Sequence, residues 1–304
     1  MRLFRPPSGT SPGMRKQRTG IACMGLFLAF ASLAVPASAQ SLEALDGDSD
    51  VPVEIYAEEG IEWLQEKKVY IARGKAQAIR GDMTLDADVL TAHYRPTEEG
   101  GTDIWRLDAD GNVKIHNFSS VTYADRGVFD VAKGILVLTG RNLKLETGGN
   151  VVIARDSMEY WQTKNMAVAR GNAIAIREDK RMKADVLTAY FVKGKNGKSE
   201  IQRIHAYNNV LVSSPTEIIR AQKAVYNVKT GIVVATGSVR ITRGRDQLNG
   251  QAAEININTG VSRMLSSGAG RVHGIFQPIR AGDKAARKGN KRARPGPSKG
   301  KTLR

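Results

Sequence analysis

An internal repeat constrains this chain more than any single motif does. Residues 61–140 align without a gap on residues 158–237 at a constant offset of 97, and 31 of the 80 aligned positions are identical. The best match is between residues 87–92 and residues 184–189, both of which read ADVLTA. In a repeat architecture each unit buries its apolar face only against its neighbours, so the copies must stack into one continuous core.

Alternation of apolar and polar residues indicates strands within each copy. Met83, Leu85 and Ala87 are separated by single polar residues, and Val113-Lys114-Ile115 has the same pattern. A period of two places one set of side chains on one face of a strand. A polar opposite face is typical of antiparallel sheets with one solvated side. Beyond the first 39 residues no long helical pattern occurs, so we predict an all-β chain.

Glycine or asparagine marks shorter units at intervals of 29 to 37 residues. Because Gly, Asn and Asp adopt the left-handed backbone conformations that turns need, we expect turns at these positions. Residues 108–112 (DADGN) resemble the start of a calcium loop but lack its downstream bidentate Glu, so we interpret them as a turn. The markers are Gly74, Gly111, Gly140, Gly171, Asn208 and Gly237.

Residues 1–39 have the pattern of a secretory signal peptide. Arg15, Lys16 and Arg18 precede an apolar run over residues 21–35, and Ala37-Ser38-Ala39 forms a small-residue cleavage site. We expect a chain that starts at Gln40 after export to the periplasm, with a short linker over residues 40–50. An uncleaved membrane anchor is the alternative, and Met14 is an alternative start. The single cysteine, Cys23, lies inside the signal.

The net charge of +16 belongs mainly to the two ends of the chain. Residues 1–39 hold five basic residues and no acidic residue, and residues 280–304 hold ten basic residues and Asp283. The remaining 46 − 15 = 31 basic and 30 − 1 = 29 acidic residues leave the central part at only +2. We therefore expect no nucleic-acid partner for the fold. The basic tail is predicted to be a disordered terminus, or one attracted to anionic lipid headgroups.

No catalytic, metal or cofactor pattern emerges from the sequence. Residues 194–199 (GKNGKS) lack the earlier glycine of a phosphate-binding loop, the four histidines are scattered, and no serine lies in a nucleophile elbow. Asp86 and Asp88 alternate with buried positions, so we expect them to face water rather than act as an acid–base pair. The sequence favours a protein without enzymatic activity and without cofactors.

Stacked half-apolar strands can enclose a groove. If two facing sheets splay along one edge, their interior shelters acyl chains, and unpaired strands at each end can extend a partner's sheet. The first alternative is an interior packed by its own side chains, which would make the chain a structural or adhesive array. A polysaccharide-acting enzyme is the second, although it would need clustered carboxylates and aromatics on the outer face.

The chain resembles the OstA-like periplasmic proteins of lipopolysaccharide transport, the LptA family. The resemblance covers most of residues 51–265 and rests on PVEI at residues 52–55, on the strand pair over residues 69–89, and on FDVAKGILVLTG at residues 129–140. The basic tail is also similar. The resemblance implies an elongated, open two-sheet β-jellyroll over residues 51–279, with repeat halves at about 61–157 and 158–265.

The resemblance also implies a ligand and partners. The ligand would be lipopolysaccharide, held by its lipid A acyl chains, and the partners would be an inner-membrane protein of the same fold and an outer-membrane receptor. These would join by strand addition, and the chain itself would form head-to-tail oligomers. The expected lipid-binding residues, the later three placed by the offset of 97, are Val53, Ile55, Ile115, Phe129, Val131, Val212, Tyr226 and Val228.

Overall fold

The computed structural model describes residues 53–98, 100–194, 199–266 and 271–277. The predicted signal peptide, the linker over residues 40–50 and the basic tail lie outside the described residues. Within them, eighteen strands form one antiparallel sheet, and the only helix is a 3-10 turn at Gln162–Lys164. None of the described helices has the length and apolar content needed to cross a bilayer.

The long strands follow one another as a meander, and the short strands come in pairs that share a long neighbour. The N-terminal strands are β1 Glu54–Tyr56, β2 Gly60–Leu64, β3 Val69–Arg80, β4 Met83–Pro96, β5 Thr102–His116, β6 Ser120–Asp130, β7 Ile135–Thr139, β8 Leu143–Thr147, β9 Asn150–Ala154 and β10 Ser157–Trp161. The C-terminal strands are β11 Met166–Arg177, β12 Lys180–Lys193, β13 Ser199–Ser213, β14 Ile218–Asn227, β15 Ile232–Arg243, β16 Asp246–Asn256, β17 Ser262–Leu265 and β18 His273–Ile275. Strands β1 and β2 pair with β3, β7 and β8 with β6, β9 and β10 with β11, and β17 and β18 with β16.

The sequence repeat is a repeat of structure. Strands β3, β4 and β5 begin and end 97 residues before β11, β12 and β13, and the register shifts of β3–β4 and β11–β12 fall at Arg73/Ala76 and Arg170/Ala173. A side-chain hydrogen bond recurs as well, since Asn112 donates to Asp88 and Asn209 donates to Asp185 at the same 2.9 Å. The two copies therefore share one backbone plan.

Five of the six marker residues lie inside strands, only Gly140 lies between two strands, directly after β7, and the predicted turn at residues 108–112 is wrong. Those residues lie inside β5, at a bulge where two residues face one residue of the neighbouring strand. Gly111 and Asn112 there have φ angles of 81° and 47°. Two consecutive residues with positive φ bend a strand sharply without ending it. We call this bend the corner, and the long strands continue through it.

The corners divide the sheet into two limbs. The first half of β3 pairs with β2 and its second half with β1, and β6 forks in the same way between β7 and β8. The first limb contains β2, β7, β10 and β17, the second contains β1, β8, β9 and β18, and the long strands run through both. The two sheets expected from the sequence are thus limbs of one continuous sheet.

The inner faces of the two limbs form the core. Residues beside the corner are almost completely buried on both limbs, among them Ala76, Val113, Leu143 and Ala235 at 0–2 % exposure. Among the described residues no second sheet and no long helix is available to cover them, so each limb is covered by the other. The predicted antiparallel, all-β fold is confirmed, and the core lies in the angle between its limbs.

Replacement of Gly140 by Ala tests the corner. Gly140 has a φ of 148°, and a Cβ atom there would lie 2.5 Å from the backbone nitrogen of Asp125. We expect Gly140→Ala to lower the free energy of unfolding by about 1–3 kcal/mol from backbone strain alone, with the clash as a further cost. Denaturant titration followed by circular dichroism measures the loss.

The matched control is Gly81→Ala in the turn between β3 and β4. Gly81 also has a positive φ, 60°, but an added Cβ would meet no atom within 4 Å. Gly81→Ala should therefore lower the free energy of unfolding by about 1–2 kcal/mol, from the strain of a left-handed alanine alone. An equal loss from both variants would contradict the close approach at the corner.

Candidate functional site

The candidate site is the inner surface between the limbs, because its side chains change in size and burial with distance from the corner. Small or fully buried residues occupy the positions next to the corner. One step farther along the second limb, the inner residues are only partly buried although they pack against the core. This outer row of the second limb comprises Ala78, Leu85, Ile115, Leu145, Val152, Ala175, Met182 and Val212.

Partial burial of these apolar side chains shows that the first limb does not fully cover the inner face of the second limb, whereas Phe129, far from the corner on the first limb, is buried at 8 % exposure. A close-packed core would bury these residues as fully as it buries Val113 or Val210, which are both 2 % exposed. The row closes only at β14 and β15, where Ile219 and Ile241 are 6 % and 2 % exposed. We interpret this incompletely covered apolar row as a groove between the limbs that is open on the second limb along β3 to β13.

Aromatic rings line the first limb of the groove at repeated positions. Trp63 donates a 2.8 Å hydrogen bond to the hydroxyl of Tyr94, and 97 residues later Tyr160 and Phe191 lie edge to face with ring centroids 6.4 Å apart. Phe129 and Tyr226 are a further pair related by the offset. These rings are large, rigid apolar surfaces, so both copies build the same aromatic wall.

Five of the eight predicted site residues lie on the inner face. Ile55 pairs with Ala78, and Ile115 and Val212 belong to the partly buried row of the second limb. Phe129 is 8 % exposed and lies in the core of the first limb. Tyr226 shares its face with Val233 and Ile204, its direct cross-strand partners.

The other three predicted residues lie outside the strands. Val53 precedes β1 and is 45 % exposed. Val131 and Val228 occupy the turns after β6 and β14, where their backbone N–H groups donate to the carbonyls of Trp105 and Gln202. Both are 38 % exposed, so the structure places them at the rim of the first limb rather than on the groove floor.

Sequence reasoning missed several groove residues whose signal was present. Tyr94 and Phe191 are both aromatic at the offset of 97, as are Trp63 and Tyr160. Met182 could not be found in this way, since its counterpart is Leu85 and many aliphatic residues share that pattern. Only the register, which pairs Met182 with Ala175 and Val212, places it in the groove.

A cluster of charged side chains lies on the outer face instead. Nε2 of His93 lies 2.8 Å from the Asp108 carboxylate, and Arg106 donates to the same group at 2.8 Å. Burial acts to raise the pKa of Asp108, but the hydrogen bonds from Arg106 and His93 outweigh it and hold that pKa below its usual value. Position 205, which corresponds to Asp108, is a histidine, so we interpret this network as local sheet stabilisation.

No described group of three or more His, Cys, Asp or Glu side chains is arranged to hold a metal ion. A surface depression of about 610 Å³ lies beside the turns that follow β5 and β8, lined by Lys114, His116, Phe118 and Glu146 among others. Lys114 and Glu146 point to the outer face, so this depression is separate from the groove.

Ionisation of Tyr226 tests its burial in the groove. Burial raises the pKa of Tyr226, and the positive charge of Arg177 offsets only part of that rise. Tyr226 ionises at a lower pH in the unfolded chain, where a tyrosine has a pKa of 10.0. The contribution of neutral Tyr226 to the free energy of unfolding is therefore fully present below pH 10 and is lost as the pH rises through the pKa of Tyr226 in the folded protein. We expect Tyr226→Phe to lose less stability than the original chain between pH 10 and 11, measured by urea midpoints; equal declines would contradict the burial.

Comparison with known proteins gives a family. The model of the family described as LptA/(LptD N-terminal domain) LPS transport protein matches residues 54–156, 153–261 and 218–292. The first two matches correspond to the two copies of the repeat. The repeat is therefore a duplication of the unit that this family model describes.

Two individual proteins are also similar. An uncharacterized protein of Rhizobium meliloti (strain 1021) is 22 % identical over 137 residues, which cover 44 % of this chain and 73 % of that protein. The crystal structure of LptH, described as the LptA homologous periplasmic component of the lipopolysaccharide transport device of Pseudomonas aeruginosa, matches at 15 % identity and a TM-score of 0.37. That match covers 42 % of this chain and 95 % of LptH.

Proposed function

We propose, since this chain belongs to the LptA/(LptD N-terminal domain) family of LPS transport proteins, that it carries lipopolysaccharide through the periplasm without catalysing a reaction. The lipid A acyl chains lie in the groove between the limbs, and the hydrophilic sugars stay outside. The observation that supports this most directly is the partly exposed apolar row along the second limb.

The groove would stabilise acyl chains by removing them from water. Each methylene group removed from water contributes roughly 0.8 kcal/mol, so a twelve-carbon chain gains on the order of 10 kcal/mol when it is fully covered. A carrier must offer that cover without a barrier to entry or exit. A groove open along its rim meets this requirement, because an acyl chain can enter sideways.

The ends of the sheet suit strand addition. Among the described residues, β1 and β2 pair only with β3, and β17 and β18 pair only with β16. Unpaired backbone N–H and C=O groups at both ends can continue a partner's sheet. The proposed partners are an inner-membrane protein of the same fold, an outer-membrane receptor and further copies of this chain, with the grooves aligned end to end.

Photocrosslinking at Phe129 tests the ligand. With p-benzoylphenylalanine at position 129, we expect covalent capture of lipopolysaccharide in cells, detected as a lipopolysaccharide-reactive band of higher mass. The reason is that Phe129 lies on the inner face beside Leu107 and Leu136.

The matched controls carry the same crosslinker at Lys114 and Lys144, which point outward on the second limb. They should capture no lipopolysaccharide. Equal capture from both faces would refute the groove as the binding site. If no position captures lipid and depletion leaves the outer-membrane lipopolysaccharide normal, a structural or adhesive array is the better description.

A charge inside the groove should exclude the lipid. Ile115 lies in the partly buried row, so Ile115→Glu places a carboxylate where an acyl chain would lie, at a cost of several kcal/mol for its burial. We expect the amount of copurified lipopolysaccharide, measured by mass spectrometry, to fall by about tenfold or more. Lys114→Glu, one residue away and outward, should leave it unchanged, and an equal fall in both variants would contradict the proposal.

A further inference from the structure

The outer face of the second limb differs in charge between the two copies. In the C-terminal copy, direct cross-strand partners form a row of Lys183, Leu211, Arg220 and Arg240. Toward the rim, the next outward row contains Arg181, Ser213, Ile218 and Thr242. Arg181, Lys183, Arg220 and Arg240 are all exposed. These four side chains, which we call the cationic face, contribute four positive charges and no negative charge.

The N-terminal copy is neutral on the corresponding surface. Its matching row contains Asp86, Lys114, Tyr123 and Lys144. Asp86 lies 3.1 Å from Nε2 of His116, and Lys144 forms an ion pair with Glu146. The same backbone therefore forms without a surplus of positive charge, so the fold does not require the cationic face.

The cationic face even opposes folding. Arg220 lies directly opposite Arg240 in the β14–β15 pair, and like charges at directly opposed positions destabilise a sheet. Arg240 donates to a neutral acceptor, Oδ1 of Asn249 at 3.2 Å. Among the described residues, Arg181, Lys183 and Arg220 form no ion pair. An anionic partner would offset this repulsion.

Two carboxylates near the cationic face are engaged elsewhere. Glu217 forms a 2.6 Å ion pair with Arg243, and Asp185, at the corner, accepts a hydrogen bond from Asn209. The charge of the remaining chain does not offset the cationic face either. Residues 278–304 hold ten basic residues and one acidic residue, so their charge and that of the cationic face repel each other.

We propose that the cationic face docks on the anionic phospholipid headgroups of a membrane. Three strand spacings put about 14 Å between Lys183 and Arg240, and all four side chains extend from one side of a sheet. Such a flat row matches a planar layer of phosphates better than a single small anion. Positive side chains near an anionic leaflet are attracted electrostatically, and residues 278–304 add charge of the same sign.

Vesicle flotation tests the proposal with the full chain lacking the predicted signal peptide. The variant carries Arg181→Gln, Lys183→Gln, Arg220→Gln and Arg240→Gln. The charge-matched control carries Lys114→Gln, Arg141→Gln, Lys229→Gln and Arg263→Gln, which are exposed or partly exposed cations away from the cationic face. Vesicles contain either phosphatidylcholine alone or phosphatidylcholine with 30 mol % phosphatidylglycerol, at about 20 mM and about 150 mM salt.

We expect the original chain to bind the anionic vesicles in a salt-dependent way. Each cation near the surface is worth about fivefold in partitioning to anionic vesicles. The variant should therefore bind these vesicles about tenfold or more weakly than the original chain, and the control less than twofold more weakly. Both variants keep the basic tail. Circular dichroism should show an unchanged melting temperature or a higher one, since the opposed arginines are gone. Copurified lipopolysaccharide should be unaffected, which separates this test from that of the groove.

Three results would overturn the proposal. The first is an equal loss from variant and control, which would make the attraction a matter of net charge alone. The second is no loss from the variant, or equal binding to neutral vesicles. The third is a variant that keeps vesicle binding but loses binding to isolated peptidoglycan, which would make an anionic glycan the partner.

Discussion

The structure depends on one constraint: a single sheet with an apolar face must cover that face with itself. No helix packs on the described strands, so each long strand bends at a bulge and lays one half over the other. Paired left-handed residues such as Gly111 and Asn112 make the bend possible without breaking the strand. Close approach then sets the composition of the corner, because a Cβ atom would collide with Glu59, between β1 and β2, at Gly74 and with Asp125 of β6 at Gly140.

The groove is a consequence of that geometry. Two halves of one sheet joined at a corner lie closest at the corner, and on the second limb the inner face is covered less completely farther out. Ala76 at the corner is fully buried, whereas Ile115, farther out on the same limb, is only partly buried. Aromatic pairs such as Trp63 with Tyr94 and Tyr160 with Phe191 widen the apolar wall where the limbs are apart. An interior that is packed at its base and open at its rim suits a guest that has an apolar and a polar end.

The duplication separates what the fold needs from what it tolerates. Corner residues and strand lengths recur at the offset of 97, as Asp88 with Asn112 and Asp185 with Asn209 show. The outer faces do not recur: Asp108, held by His93 and Arg106, is replaced by His205. Packing restricts the residues at inner positions, whereas outer positions can acquire charge. This is why the cationic face occurs in only one copy.

The sequence by itself determined the repeat, the all-β class and much of the inner face. The family resemblance suggested Ile115 and Phe129, and the offset of 97 added Val212 and Tyr226. All four lie on the inner face of their strands, and their contact with lipid stays a prediction. The tertiary structure decided that residues 108–112 continue a strand, that two limbs belong to one sheet, and that Val131 and Val228 lie at a rim. Glycine permits a turn and a bulge equally well, and only the pairing of distant strands selects between them.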